Sequence, residues 1–337
     1  MTDLAGFIKG LPKVELHLHI EGTLEPELRF ALAQRNGMRL EYRDVEALRT
    51  SYRFTDLTSF LVSYYEGAQV LQTADDFYDL AWTYLQRARD ENVRYVEMFF
   101  DPQAHTSRGV AFETVVGGLR RAIVAAHQNL GVRTQLIMCF LRDHSAEYAM
   151  ATLVQSLPYR DWIVAVGLDS DELDNPPVKF AAVFARARSE GYQLTMHCDV
   201  DQKDTGEHLR QCLEVIGVDR VDHGINVLES RELTGEVQRR GLGLTVCPVS
   251  NRWVTGDLKA DEIKQLLELG VRVTVNSDDP AYFGAYVTDN LVALQQAANL
   301  DRAQLVQLQR NALEISWLPS NTKDELLAEL DSYARLE

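Results

Sequence analysis

The chain has little cysteine and no cysteine pattern. Cys139, Cys198, Cys212 and Cys247 are its only four, and no two stand in a CxxC spacing. That argues against a disulfide framework and a thiolate metal knuckle, and it fits reduced thiols in a cytoplasmic protein. Positive charge is also scarce: 34 Lys and Arg stand against 50 Asp and Glu, a formal charge of −16. Such a field repels phosphate backbones and anionic headgroups, so the expected partner is a small-molecule substrate, with no nucleic acid and no membrane. No apolar run is long enough to cross a bilayer. The opening MTDLAGFIKGLPK has a short apolar stretch with no basic flank before it, which is not a signal-peptide pattern. Linkers rich in Pro, Gly or Ser, low-complexity tracts and short repeats are missing too. The expectation is therefore one domain over residues 1–337.

What recurs is a short β-branched apolar run followed by a longer amphipathic stretch. The runs are 14–18, 93–100, 133–141, 162–169, 193–197, 220–223, 243–247 and 271–277. FYDLAWTYLQRARDE and EIKQLLELG are two of the helical stretches between them. Strands alternating with helices pair in parallel through right-handed crossovers, and near-continuous apolar strands are buried on both faces. Eight such units predict an α/β fold of the (β/α)8 TIM-barrel type. A doubly wound open sheet is the alternative, but the phosphate-binding loops GxGxxG and GxxxxGK[ST] are absent. One connection is long. Residues 21–92 read as helical with no strand and carry Tyr42, Tyr52, Phe54, Phe60, Tyr64 and Tyr65. This insertion is expected either as a lid or wall over the barrel's C-terminal face or as plain helix packing.

The stretch VELHLHIEGT places His17 and His19 two apart at the end of the first strand. Side chains alternate along a strand, so both imidazoles point the same way. A packed histidine is common; two at i and i+2 on the catalytic end of a barrel read better as a metal pair. Other strand ends add LTMHCDVDQ with His197, RVDHGIN with Asp222 and His223, and VTVNSDDPAYFG with Asp278 and Asp279. Three histidines and an aspartate suit zinc with one position left for water. His223 then orients the attacking water, and Asp278 both binds metal and accepts a proton. Asp279, Gly22 and His19 are the candidate substrate contacts. Asp101, Asp169 and Ser170 end other strands and face either pocket or solvent. His105 reads as pocket lining or a loop cap. His127, His144 and His208 read as surface residues.

LPKVELHLHIEGTLEPEL, FFDPQAHTSRGV, RVDHGINVLES, LTVCPVSN and VNSDDPAYFGAY, in this order, resemble the adenosine/adenine deaminase family of the amidohydrolase superfamily, nearer its adenine-type branch. The resemblance implies a barrel with one zinc per chain held by His17, His19, His197 and Asp278, with His223 positioning the water and Asp279 on the purine. It implies hydrolytic deamination of adenine or a related, N6-substituted 6-aminopurine. The HxE…PCxxC pattern of nucleic-acid-editing zinc deaminases is absent.

One motif departs from the family. After the fifth strand the family reads H-x-G-E, and its glutamate is the proton donor. This chain reads His197-Cys198-Asp199-Val200, and valine carries no proton. Losing a general acid costs about 10²–10⁴ in rate. Three readings follow: Asp199 or Asp201 takes over as a catalytic acid; the substrate is another aminated heterocycle, an N6-substituted adenine or a cyclic amide; or the barrel binds zinc and purine with little turnover. A binuclear site is disfavoured because no bridging lysine ends the fourth strand. A homodimer is compatible with the sequence and not specified by it.

Overall fold

The computed structural model describes residues 4–198 and 202–336. Eight strands run β1 Lys13–His19, β2 Val93–Phe100, β3 Arg133–Leu141, β4 Ile163–Asp169, β5 Gln193–Cys198, β6 Arg220–His223, β7 Gly243–Val246 and β8 Arg272–Val275. They are hydrogen-bonded in sequence order and every pair is parallel. Helices fill the connections, which makes the (β/α)8 barrel that the strand–helix alternation predicts.

The sheet is continuous except at its seam. β8 and β1 meet through a single parallel bridge, Leu18–Asp278. Around it, His19 N donates to Asp278 O at 3.0 Å and Asp278 N donates to His17 O at 3.1 Å. The expected eighth strand, 271–277, is shortened to Arg272–Val275 for a local reason. Asn276 takes over the pairing with its side chain: Oδ1 accepts from Leu16 N at 2.8 Å, while its own N–H reaches Val246 O at 3.0 Å.

β1 shows why alternation matters. Val14, Leu16 and Leu18 belong to the main apolar core under the helices. Lys13, Glu15, His17 and His19 alternate with them and are buried as well: Lys13 Nζ donates to Glu91 O, Glu15 accepts from Tyr84 OH and Ser277 N, and His17 and His19 sit at the catalytic end. Phe99, Ile137, Cys139 and Ala165 form a separate apolar layer.

No strand interrupts the stretch between β1 and β2. It folds as Glu21–Thr23, Pro26–Arg35, Val45–Ser51, Leu57–Ala68 and Ala74–Asp90. Its aromatics do two things. Tyr52, Phe54 and Phe60 join Trp253, Tyr282 and Phe283 in a second apolar cluster, with the Phe60 and Phe283 rings 4.9 Å apart. Leu57, Phe60, Leu61, Tyr64 and Tyr65 also line a cleft over the barrel. Among the described residues no helix is long and apolar enough to cross a membrane, and the four cysteines are unbonded and buried.

Candidate active site

The cleft opens at the C-terminal ends of the strands and holds about 500 Å³ of atom-free space, its open mouth included. His19, His197, His223, Asp278 and Asp279 line it together with Asp101, Asp169 and Ser170. His17 lies beneath them, fully buried.

Four of the five expected metal-cluster groups are tied at one point. His19 Nε2 and His197 Nε2 are 3.1 Å apart. Asp278 Oδ1 is 3.2 Å from His17 Nε2 and 3.4 Å from His19 Nε2. The fifth, His223 Nε2, lies 3.8 Å from Asp278 Oδ2. Potential ligand atoms of His17, His197 and His223 all fall within 4.8 Å of one another. Local backbone explains how β6 contributes two residues. Asp222 points inward, accepting from Thr195 Oγ1 at 2.6 Å and Thr245 Oγ1 at 2.8 Å. Its neighbour would face outward, but His223 has φ 56° and turns into the cleft. Asp278, at φ 63°, is bent in the same way. Such conformations cost energy and collect at functional sites.

The imidazoles present lone pairs. His17 Nδ1 lies 3.1 Å from Thr245 O and 3.0 Å from Thr245 Oγ1, and His197 Nδ1 lies 3.1 Å from Leu168 O. A carbonyl only accepts, so Nδ1 carries the proton in both rings and Nε2 is left as the donor atom. His19 Nδ1 faces Asp169 Oδ2 at 3.5 Å. Burial drives the His19 pKa down to about 3, and burial with the neighbouring imidazoles holds His197 well below its ordinary value. Neutral rings are what a metal needs. His17 Nε2 is buried with no hydrogen-bond partner, the mark of an atom whose partner is not protein. The donor set therefore fits a zinc-type ion. Cys247 also lies near His17 and Asp278, but burial and the surrounding carboxylates push its thiol well up, so it stays protonated.

The two adjacent aspartates separate in charge. Burial pushes Asp278 up, but His17, His223 and His19 outweigh it and hold it well below the ordinary value. Asp279 is pushed well above by burial and by Asp278 beside it. Its Oδ1 is buried and has no hydrogen-bond partner. The close approach expected at Gly22 is to this residue: a Cβ there would come 2.1 Å from Asp279 Oδ1 and 2.8 Å from its Cα. Gly22 thus gives room to Asp279 and does not line the cleft.

Asp101, Asp169 and Ser170, unranked by the sequence, line the cleft. His105 does not; it is buried against Glu21 Oε1 at 2.8 Å and Arg108 Nη2 at 2.8 Å. His208 is not a surface residue. It is buried, with Nδ1 2.5 Å from Glu172 Oε1, because the buried Arg142 draws Glu172 inward. His127 is exposed and His144 half-buried. Asp199, Val200 and Asp201 lie outside the described residues. Thr245, Ser250 and Val254 were not read from the sequence. Thr245 was legible as an inward position of β7, and Ser250 lies in the family-like stretch LTVCPVSN; Val254, also in helix Pro248–Thr255, gave no signal.

The adenosine deaminase family model matches residues 12–333. An uncharacterized deaminase of Schizosaccharomyces pombe is 50% identical over 99% of both chains. Adenine deaminase of Cupriavidus metallidurans is 48% identical, covering 98% of this chain and 93% of its own. Among solved structures, adenine deaminase from Arthrobacter aurescens superposes with a TM-score of 0.93 at 43% identity, over 96% of this chain and 99% of the other. An amidohydrolase from Burkhoderia ambifaria, solved with bound Zn, gives 0.88 at 25% identity over 100% and 95%. The chain belongs to the adenosine deaminase family and is a hydrolytic deaminase.

Proposed function

We propose that this protein deaminates adenine to hypoxanthine and ammonia with one zinc ion per chain, held by His17, His19, His197 and Asp278. The observation that carries the reading is the convergence of three imidazoles and one carboxylate from β1, β5 and the β8 end on a single point of the cleft. Its likeness to adenine deaminases over nearly the whole chain supports the substrate, and the zinc of the Burkholderia-type relative supports the metal. Bound there, zinc lowers the pKa of water toward neutrality and supplies the nucleophile.

The chain's own residues do the rest. His223 and the second oxygen of Asp278 face each other across 3.8 Å and take the proton of the attacking water. Asp279, which burial and Asp278 push toward its protonated form, donates to the purine ring nitrogen beside the amino group. Leu57, Phe60, Leu61, Val254 and Phe283 cover the ring with apolar surface and keep out bulk water. Proton delivery to the other ring nitrogen belongs, on the sequence, to Asp199 or Asp201. The same apolar wall favours a second reading, an N6-substituted adenine whose substituent lies against it.

The test is loss of the adenine ultraviolet band with matched ammonia release by zinc-loaded protein, run beside Asp199→Asn and Asp201→Asn. Turnover lost in one variant names the acid. A zinc-bound protein that releases no ammonia from adenine overturns the reading. Release of an amine from N6-alkyladenines alone would select the second one.

A further inference from the structure

An ion pair buried beside His197 plays no part in the steps above. Arg142, directly after β3, and Glu172, shortly after β4, are both 0% exposed, with Arg142 Nη1 3.2 Å from Glu172 Oε2. Arg142 ties three strand ends together. Its backbone N–H donates to Asp169 O at 3.0 Å, its Nη1 to His197 O at 3.0 Å and its Nε to Asn175 O at 3.0 Å. The other oxygen of Glu172 meets a helix. Its Oε1 lies 2.5 Å from Nδ1 of His208, which is 7% exposed in the helix Thr205–Arg210. A carboxylate only accepts, so Nδ1 is the donor.

Burying an ion pair is costly, and an apolar replacement of similar volume often serves stability as well. The position of this one says what it does instead. It holds the chain at His197, the metal-ligand end of β5, and through Glu172 it holds the chain again at His208. Residues 198–207 run between these two anchors, and Asp199 and Asp201, the candidate acids, are among them. In the family's H-x-G-E motif the glutamate comes three residues after the histidine, and here that position is Val200. A carboxyl two or four residues after His197 has to be brought in on another course of the backbone. A proton donor tolerates little misplacement: an error of about 1 Å costs about 10²-fold in rate. A segment braced at both ends meets that demand.

We propose that His208, acting through Glu172 and Arg142, is a positioning residue for the deamination: it fixes the far end of the 198–207 segment and so places the carboxyl that delivers the proton. This rests on the adenine reading above, with Asp199 or Asp201 as the acid.

The experiment measures kcat and KM for adenine, together with zinc content, in wild type, His208→Leu and His208→Asn, whose amide N–H stands where Nδ1 does. It repeats His208→Leu in an Asp199→Asn/Asp201→Asn background at high enzyme concentration. His208→Leu is expected to lower kcat about 10-fold to 100-fold with KM within about 2-fold and zinc content unchanged, and His208→Asn to recover most of the loss. In the background without the carboxyls the same substitution should change kcat by less than about 2-fold, because the group it positions is gone. A merely structural His208 costs the same factor in both backgrounds or loses zinc along with activity, and either result overturns the proposal. So does an unchanged kcat in His208→Leu, or full activity in Asp199→Asn/Asp201→Asn, while the deaminase reading stands. Where that background is silent, His208→Asn decides: no recovery overturns the proposal. If wild type releases no ammonia from adenine, the deaminase reading fails and takes the proposal with it. Should His208→Leu not fold, His208→Gln, whose amide lies at the Nε2 position, takes its place under the same criteria.

Discussion

The barrel buries two charged clusters, one at each end, and they are built in opposite ways. At the basal end Glu97 is closed on itself by protein. Its Oε1 accepts from Tyr95 OH at 2.8 Å and Trp317 N at 2.7 Å, and its Oε2 pairs with Arg220. Arg220 also donates to Leu16 O at 3.3 Å and stacks on Trp317 at 4.0 Å. At the catalytic end His17 Nε2 and Asp279 Oδ1 are buried without a hydrogen-bond partner, and Asp101 and Asp169 face each other as two buried carboxyls. The burial is equal and the satisfaction differs in degree: the Glu97 carboxylate is fully bonded, and of Arg220 only Nε lacks a hydrogen bond. A polar cluster that serves stability completes its own hydrogen bonds, whereas one that serves binding leaves them for the ligand.

That contrast can be broken. The largest effect is expected on the open cluster. His197→Ala removes a ligand atom and should abolish bound zinc and activity together, read by metal analysis and ammonia release, while the fold persists. Retained stoichiometric zinc would show that His197 is not a ligand. On the closed cluster the outcome should reverse. Arg220→Met leaves Glu97 charged and unpaired and should cost about 3–5 kcal/mol in urea unfolding, with zinc still bound by whatever protein folds. A neutral result would mean the pair contributes no more than its apolar replacement.

Smaller changes sharpen the comparison. Thr245→Val removes the hydroxyl that orients His17 Nδ1 and supports Asp222. It should weaken zinc about 10-fold to 100-fold in a chelator competition. An unchanged affinity would leave the Thr245 carbonyl as sufficient orientation. Lys13 lies at the base of β1, where burial drives its pKa from 10.5 down to about 8. Between these values the unfolded chain binds the proton that the folded chain has lost. Stability should therefore rise as pH increases from 8 to 10.5, by no more than about 1.4 kcal/mol per pH unit. Lys13→Met should flatten the slope; an equal slope in both proteins would place the titration elsewhere. Last, Asp101→Asn replaces a buried carboxyl that faces Asp169 on the open wall and should gain on the order of 1 kcal/mol of stability in urea unfolding. A loss of stability would class Asp101 with the closed cluster.

Much of this was legible in local pattern. β2, β3 and β6 begin and end where expected; β2 and β3 run into apolar, buried C-terminal ends, whereas β6 is buried although Arg220, Asp222 and His223 are polar. The paired spacing of His17 and His19 declares one face at the end of one strand. His208 was misread for the converse reason. It sits in a helix among Glu and Arg and looks solvated, but Arg142 and Glu172, 66 and 36 residues earlier in the chain, carry it inside.

The sequence by itself determined the strand order, the inward positions and the residue types offered to the site, since each follows from alternation over a few residues. Only the tertiary structure decided that β8 closes on β1 through Asp278, that positive φ turns His223 and Asp278 into the cleft, and that Asp101, Asp169 and Ser170 meet on one wall of it. Those outcomes depend on contacts between residues as far apart as Leu16 and Asn276, 260 positions along the chain. No local pattern of side chains encodes which buried oxygen the fold will leave unpaired.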